Sequence, residues 1–133
     1  AYEEATGRSL ARILYPLAAE TEKAREKLAS TQYAQPAIFA IEYALSMLFI
    51  AWGIRPDAMI GYSFGELTAA AVSGVFSLKD AMSMVAYRAN AMQASPAGVM
   101  MSVPLPEAEL KPMLPKEVSL AVVNDSSCIV SGL

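Results

Sequence analysis

Gly61-Tyr62-Ser63-Phe64-Gly65 matches the G-x-S-x-G pattern, in which small residues before and after a serine let a strained turn lift its hydroxyl out of the backbone. Ser63 at such a tip is a candidate nucleophile, expected at a strand-to-helix turn with its hydroxyl at the mouth of a cleft. A nucleophilic hydroxyl needs a base within hydrogen-bond reach. The 133 residues contain no histidine, and no lysine or carboxylate stands in a recognisable pairing with Ser63. The bland alternative is a glycine-rich turn carrying an incidental serine.

The elements that must hold this turn are legible from patterning. "RPDAMIG" reads as a short strand after the Pro56 breaker, and "ELTAAAVSGVF" as a small-residue helix that packs closely. Upstream, "TQYAQPAIFAIEYALSMLFIAWG" has Pro36 at a helix-start position and Gly53 at a helix-end position. Glu42 and Ser46, four apart, form a narrow polar stripe on this otherwise apolar helix. Its length nearly suffices for a membrane span, but a carboxylate in its first third would cost about 2.5 kcal/mol or more in a bilayer centre. A core helix is therefore expected, and no membrane partner. Before it, Pro16 divides a mixed-charge stretch into a short segment and a solvated helix.

After the turn, "SLKDAMSMVAYRANAMQAS" reads as a helix. Ser77 and Asp80 form a capping-box-like start, Met82, Val85, Ala89 and Met92 lie on one side, and Met82, Met84 and Met92 read as core filling. "SPAG" at 95–98 is the best boundary, dividing a domain over 1–95 from one over 96–133. Beyond it the period changes to that of strands. "GVMMSVPL", "VSLAVVND" and "CIVSG" are strand candidates, with a short helix behind Pro106 between the first two. The order β-α-β-β is the first part of a ferredoxin-like split βαβ unit.

Composition bounds the function classes. Hydrophobic residues make up 55% and charged residues 17%, the profile of an ordered chain that buries a core. A net charge of −3 with scattered cations leaves no basic face for nucleic acid. The single cysteine, Cys128, cannot form an internal disulfide, and no signal peptide is visible, so a cytoplasmic setting is expected.

Along nearly its whole length, from about Ser9 to Gly132, the chain resembles the acyltransferase domains of modular polyketide synthases, relatives of the malonyl-CoA:acyl-carrier-protein transacylases of fatty-acid synthesis. The resemblance is carried by "YAQPAIFAIEYAL", "WGIRPDAMIGYSFGELTAAAVSGVFSLKDAMSMVAYRANAMQ", "PAGVMMSV" and "VSLAVVNDSSCIVSG" in register. It implies an α/β fold: a partial α/β-hydrolase-like subdomain with a parallel sheet, then an incomplete ferredoxin-like small subdomain. It also implies that Ser63 attacks an acyl-CoA thioester and passes the acyl group, through an acyl-serine, to the phosphopantetheine thiol of an acyl carrier protein. The backbone N–H of Phe64 would be an oxyanion donor, and Arg88 would clamp the free carboxylate of a malonyl-type unit. Gln35 matches a glutamine near the acyl pocket, or serves only the helix start. Asn124 aligns with an asparagine facing the cleft, or is an ordinary turn residue. Glu66, in the first turn after the elbow, suits the helix dipole. No metal and no cofactor are implied beyond acyl-CoA and carrier-protein pantetheine. Malonyl-CoA or a related acyl-CoA, the carrier protein and neighbouring synthase domains are the implied partners.

The chain also departs from the family. Tyr62 stands where a histidine usually precedes the nucleophile, which places a phenol at a substrate-binding position. The family's catalytic histidine follows the small subdomain, whereas this chain ends seventy residues past Ser63. The absent base is thus expected beyond Leu133, and the chain alone is expected to be inactive. A plain serine esterase, or a non-catalytic scaffold with a vestigial elbow, are the rival readings.

Overall fold

Pro36 does not start its helix. In the computed structural model, which describes residues 2–133, helix α4 spans Thr31–Ala51 with Pro36 inside it, fully buried. The ring removes one backbone donor, a loss usually tolerated only in the first turn. The helix end is as the sequence implies. Gly53 has φ +88°, and its N–H and that of Ile54 donate to the carbonyls of Ile50 and Phe49, both at 3.0 Å. This is the Schellman arrangement, which needs a left-handed residue and so favours glycine.

The chain divides into two units, Ala1–Ala94 and Ser95–Leu133. The first is helical. Short helices α1 (Tyr2–Thr6) and α2 (Ala11–Leu14) precede a 3-10 turn and α3 (Thr21–Leu28), and α5 (Gly65–Val72) and α6 (Leu78–Ala94) follow α4. The core forms where α4, α5 and α6 meet: Phe39 from α4, Ala71 from α5, and Ala81, Met82, Val85 and Ala86 from α6. Phe39 and Val85 have no exposed surface, and each such burial is worth roughly 1.5–3 kcal/mol. Small residues on α5 and α6 let the helices approach closely. Of the methionines expected to fill the core, only Met82 does so; Met84 and Met92 are 41% and 49% exposed. The start of α6 is capped as expected, with Ser77 Oγ accepting from the Asp80 N–H at 3.1 Å and donating to its carboxylate at 2.6 Å.

α4 is long and apolar enough to cross a membrane by length and composition alone. It packs on α5 and α6, and the Glu42 carboxylate accepts a hydrogen bond from Thr68 Oγ1 of α5 at 2.6 Å.

The expected parallel sheet is not formed among the described residues. Residues 54–60 carry no strand and are exposed throughout. A strand persists through ladder hydrogen bonds to a neighbour, and a parallel neighbour arrives only through a long crossover. Every regular element of the first unit among the described residues is a helix, so "RPDAMIG" has no strand partner among them.

The second unit holds the sheet. Strands β1 (Val99–Val103), β2 (Val118–Val123) and β3 (Cys128–Gly132) lie in the order β1-β3-β2, with β3 antiparallel to both neighbours. β1 and β2 therefore run parallel with β3 inserted between them. The connection from β1 to β2 carries α7 (Glu107–Leu110) and a 3-10 turn. Leu110, Cys128 and Val130 are the buried core of this unit, with Leu120 and Val118 packed against them. Cys128 is wholly buried and its thiol is free.

Candidate active site

Ser63 is the only non-glycine residue with positive φ among the described residues, at +51°. The left-handed region costs an ordinary residue about 1–3 kcal/mol and persists only where its surroundings impose it. Those surroundings are identifiable. Gly65 N–H donates to the Tyr62 carbonyl at 2.9 Å and Leu67 N–H to that of Phe64 at 3.0 Å, so the chain turns sharply through Ser63 into α5. A Cβ on Gly61 would run into the backbone of Gly65 and Glu66, so that position admits only glycine. Gly65 differs, because a Cβ there would meet nothing within 4 Å. Of the two flanking glycines, the fold of this chain requires the first.

Ser63 is exposed at the tip of the turn. Phe64 anchors the turn from below. Its half-buried ring meets Phe39 edge-on, with centroids 6.4 Å apart and planes at 84°. Among the described residues no acceptor takes the backbone N–H of Phe64, which leaves it available beside Ser63.

Arg88 comes to this turn from α6. Its guanidinium carbon lies 5.7 Å from the centroid of the Phe64 ring, within cation–π range. Its Nη1 donates to the side-chain carbonyl of Gln35, on α4. The Gln35 amide is itself fixed, donating to Thr31 Oγ1 at 2.7 Å and to the Met92 sulfur at 3.3 Å. Gln35 is buried, so this set of contacts determines which way its carbonyl points. The structure thus joins Ser63, Phe64, Arg88 and Gln35 through adjacent contacts. Thr31 and Met92 complete the set and were missed by sequence reasoning. The i, i+4 spacing of Thr31 and Gln35 was the available signal for the first, and Met92 carried none.

The other candidates make different contacts. Tyr62 is 72% exposed and borders a hollow of about 850 Å³ shared with Glu42, Gly61 and Thr68, which neither Ser63 nor Arg88 lines. Asn124 belongs to the second unit, where its N–H donates to the Ser127 carbonyl at 2.8 Å in the turn between β2 and β3. Its side-chain nitrogen Nδ2 lies 3.5 Å from Ser127 Oγ in the same turn. Glu66 is exposed in the first turn of α5. Among the described residues no group of acidic, cysteine or histidine side chains could hold a metal ion.

Chemically, the arrangement offers the hydroxyl of an exposed serine, a backbone donor beside it that no described acceptor takes, and a guanidinium held by a buried amide. Together these suit covalent attack on a carbonyl compound that also carries an anionic group.

Residues 1–132 match the model of the acyl transferase domain. Mycoketide-CoA synthase of Mycobacterium tuberculosis is 50% identical over 107 residues, covering 79% of this chain and 3% of that protein. The acyl transferase domain of ZmaA superposes with a TM-score of 0.89 at 46% identity, over 98% of this chain and 31% of that one. The malonyl-CoA:ACP transacylase of Synechocystis does so with a TM-score of 0.80 at 29% identity, over 98% of this chain and 44% of that one. An α/β fold of this type accommodates both the helical unit and the small sheet. The chain belongs to the acyl transferase domain family, as represented in polyketide synthases, and spans about a third of such a solved domain.

Proposed function

We propose that this chain carries the nucleophile and the carboxylate clamp of an acyltransferase that moves a malonyl-type unit from coenzyme A to an acyl carrier protein. The observation that carries the reading is the left-handed backbone of Ser63 directly before Phe64, whose ring lies beneath the Arg88 guanidinium. Ser63 Oγ attacks the thioester carbonyl, forming a C–O bond as its proton passes to a base. The Phe64 N–H stabilises the oxyanion; the C–S bond breaks, and coenzyme A leaves as the thiol after taking up that proton. In the second half, the phosphopantetheine thiol of the carrier protein attacks the acyl-serine. The C–S bond forms, the C–O bond breaks, and the thiol proton returns through the base to Oγ.

Arg88 pairs with the free carboxylate of the malonyl unit in both halves. Gln35 holds the guanidinium in place while leaving donors for the substrate, since arginine has five N–H groups. The chain has no histidine, so the base comes from residues outside these 133. The neighbouring domains of the synthase present the carrier protein.

Two assays test the reading. In the protein carrying this chain, Ser63→Ala should abolish transfer of radiolabelled malonyl groups from malonyl-CoA to the carrier-protein thiol, and undiminished transfer would overturn it. The 133-residue chain alone should not label rapidly with malonyl-CoA. Stoichiometric labelling within one turnover time would show that the base lies within it.

A further inference from the structure

Four of the chain's ten lysines and arginines surround a single cavity in the first unit. The hollow, of about 390 Å³, is lined by Arg8 from the turn between α1 and α2, Arg12 from α2, and Lys23 and Lys27 from α3, with Tyr33 of α4 beside them. Lys23 and Lys27 are four apart on one helix, a spacing at which like charges repel. Among the described residues the ion pairs are Lys79–Glu4 and Lys111–Glu107, so none of the four cations is paired with a carboxylate. Glu3 and Glu20 also border the cavity, which leaves a surplus of two positive charges there in a chain of net charge −3.

Two of the cations are held in place. Arg8 Nη1 donates to Gln32 Oε1 at 2.9 Å, and its guanidinium carbon lies 5.3 Å from the centroid of the Tyr33 ring. The Lys27 ammonium lies 5.9 Å from the same centroid. One aromatic ring thus sets the positions of two positive groups that would otherwise move apart. Mutual repulsion contributes nothing to folding, whereas converging cations gain when an anion arrives between them.

We propose that this cavity is an anion site, apart from the Ser63 turn, that takes a phosphate group. Arginine forks and lysine point charges together match a multi-oxygen dianion. The phosphate is either free or one carried by the coenzyme of the proposed donor; only the second possibility rests on the proposed reaction. Gln32, which holds Arg8, and Gln35, which holds Arg88, are three residues apart on α4, a rise of about 4.5 Å.

Calorimetric titration of the protein carrying this chain with inorganic pyrophosphate, coenzyme A and 3′-dephospho-coenzyme A tests the proposal. The comparison is with an Arg12→Ala/Lys23→Ala variant, whose two side chains make no hydrogen bond or ion pair among the described residues and whose melting temperature should match the wild type. Pyrophosphate should bind the wild type, more weakly as salt rises, and at least tenfold more weakly to the variant. Coenzyme A binding tighter than its dephospho form in the wild type but not in the variant identifies the coenzyme's ribose phosphate as the ligand. Equal binding of the two in the wild type, weakened for both in the variant, identifies the coenzyme's diphosphate, whereas coenzyme binding unchanged in the variant while pyrophosphate binding is lost identifies a free phosphate. Absence of pyrophosphate binding, or equal affinity in wild type and variant, overturns the site. No arm measures transfer, so the result is independent of whether Ser63 is the nucleophile.

Discussion

The guanidinium of Arg88 lies 5.7 Å from the ring centroid of Phe64, twenty-four residues away in sequence and directly after Ser63. One aromatic side chain therefore fixes two things. Through its edge contact with buried Phe39 it seats the strained turn on the core, and through its face it supports the cation. The spacing between Ser63 and Arg88 is set by the packing of α4, α5 and α6 on one another.

Replacing Arg88 by alanine should reduce malonyl transfer far more than acetyl transfer. The proposed clamp would be a charge-assisted, bidentate hydrogen bond, and a carboxylate left without it keeps its desolvation cost. A loss of about 2–4 kcal/mol in kcat/KM for malonyl-CoA is expected, with little change for acetyl-CoA. Equal losses for both substrates would assign Arg88 to the fold.

Gln35 should act through Arg88. Gln35→Glu puts a carboxylate against the guanidinium, where it competes with the substrate's own, so KM for malonyl-CoA should rise at least tenfold, about 1.4 kcal/mol. Acetyl transfer, which needs no clamp, should change little. Steady-state kinetics on both substrates separate this from a stability defect, which would lower both rates together.

The two glycines of the turn should behave differently. At Gly61 an added methyl group collides with rigid backbone, so Gly61→Ala should lower stability by about 2 kcal/mol or more, or displace Ser63 and abolish transfer. Gly65→Ala meets open space and gains helix propensity, so its stability should stay within about 0.5 kcal/mol of wild type or rise. Denaturant unfolding of the protein carrying this chain measures both, and similar losses would contradict the assignment.

The features legible in the sequence are those governed by local chemistry. The Ser77–Asp80 cap, the Gly53 helix end and the three strands after the 95–98 break all follow from neighbouring residues, and the structure contains each of them. Pro36 misled because its usual place is the first turn, while here the packing of α4 buries it five residues into the helix. "RPDAMIG" misled for the opposite reason: a strand is a property of a pair, and its pattern carries no information about its partner. In the site, Ser63 was visible through its flanking glycine and the family resemblance singled out Arg88 and Gln35 separately, but their contact spans 53 residues and no local pattern announces it. Tyr62 was singled out because the family it resembles has a histidine at that position, and in the structure it borders a hollow with Gly61, Glu42 and Thr68. Thr68, which holds Glu42, lay unnoticed in a run of small residues.

The central claim is that Ser63 becomes acylated. The protein carrying this chain should be mixed with malonyl-CoA in the absence of carrier protein, quenched in acid within one turnover, digested, and mapped by tandem mass spectrometry. The account predicts a mass increase of one malonyl group on the peptide containing Ser63, localised to that residue, and lost when carrier protein is added before the quench. A malonyl group on any other residue, or carrier-protein labelling with Ser63 never modified, would contradict it.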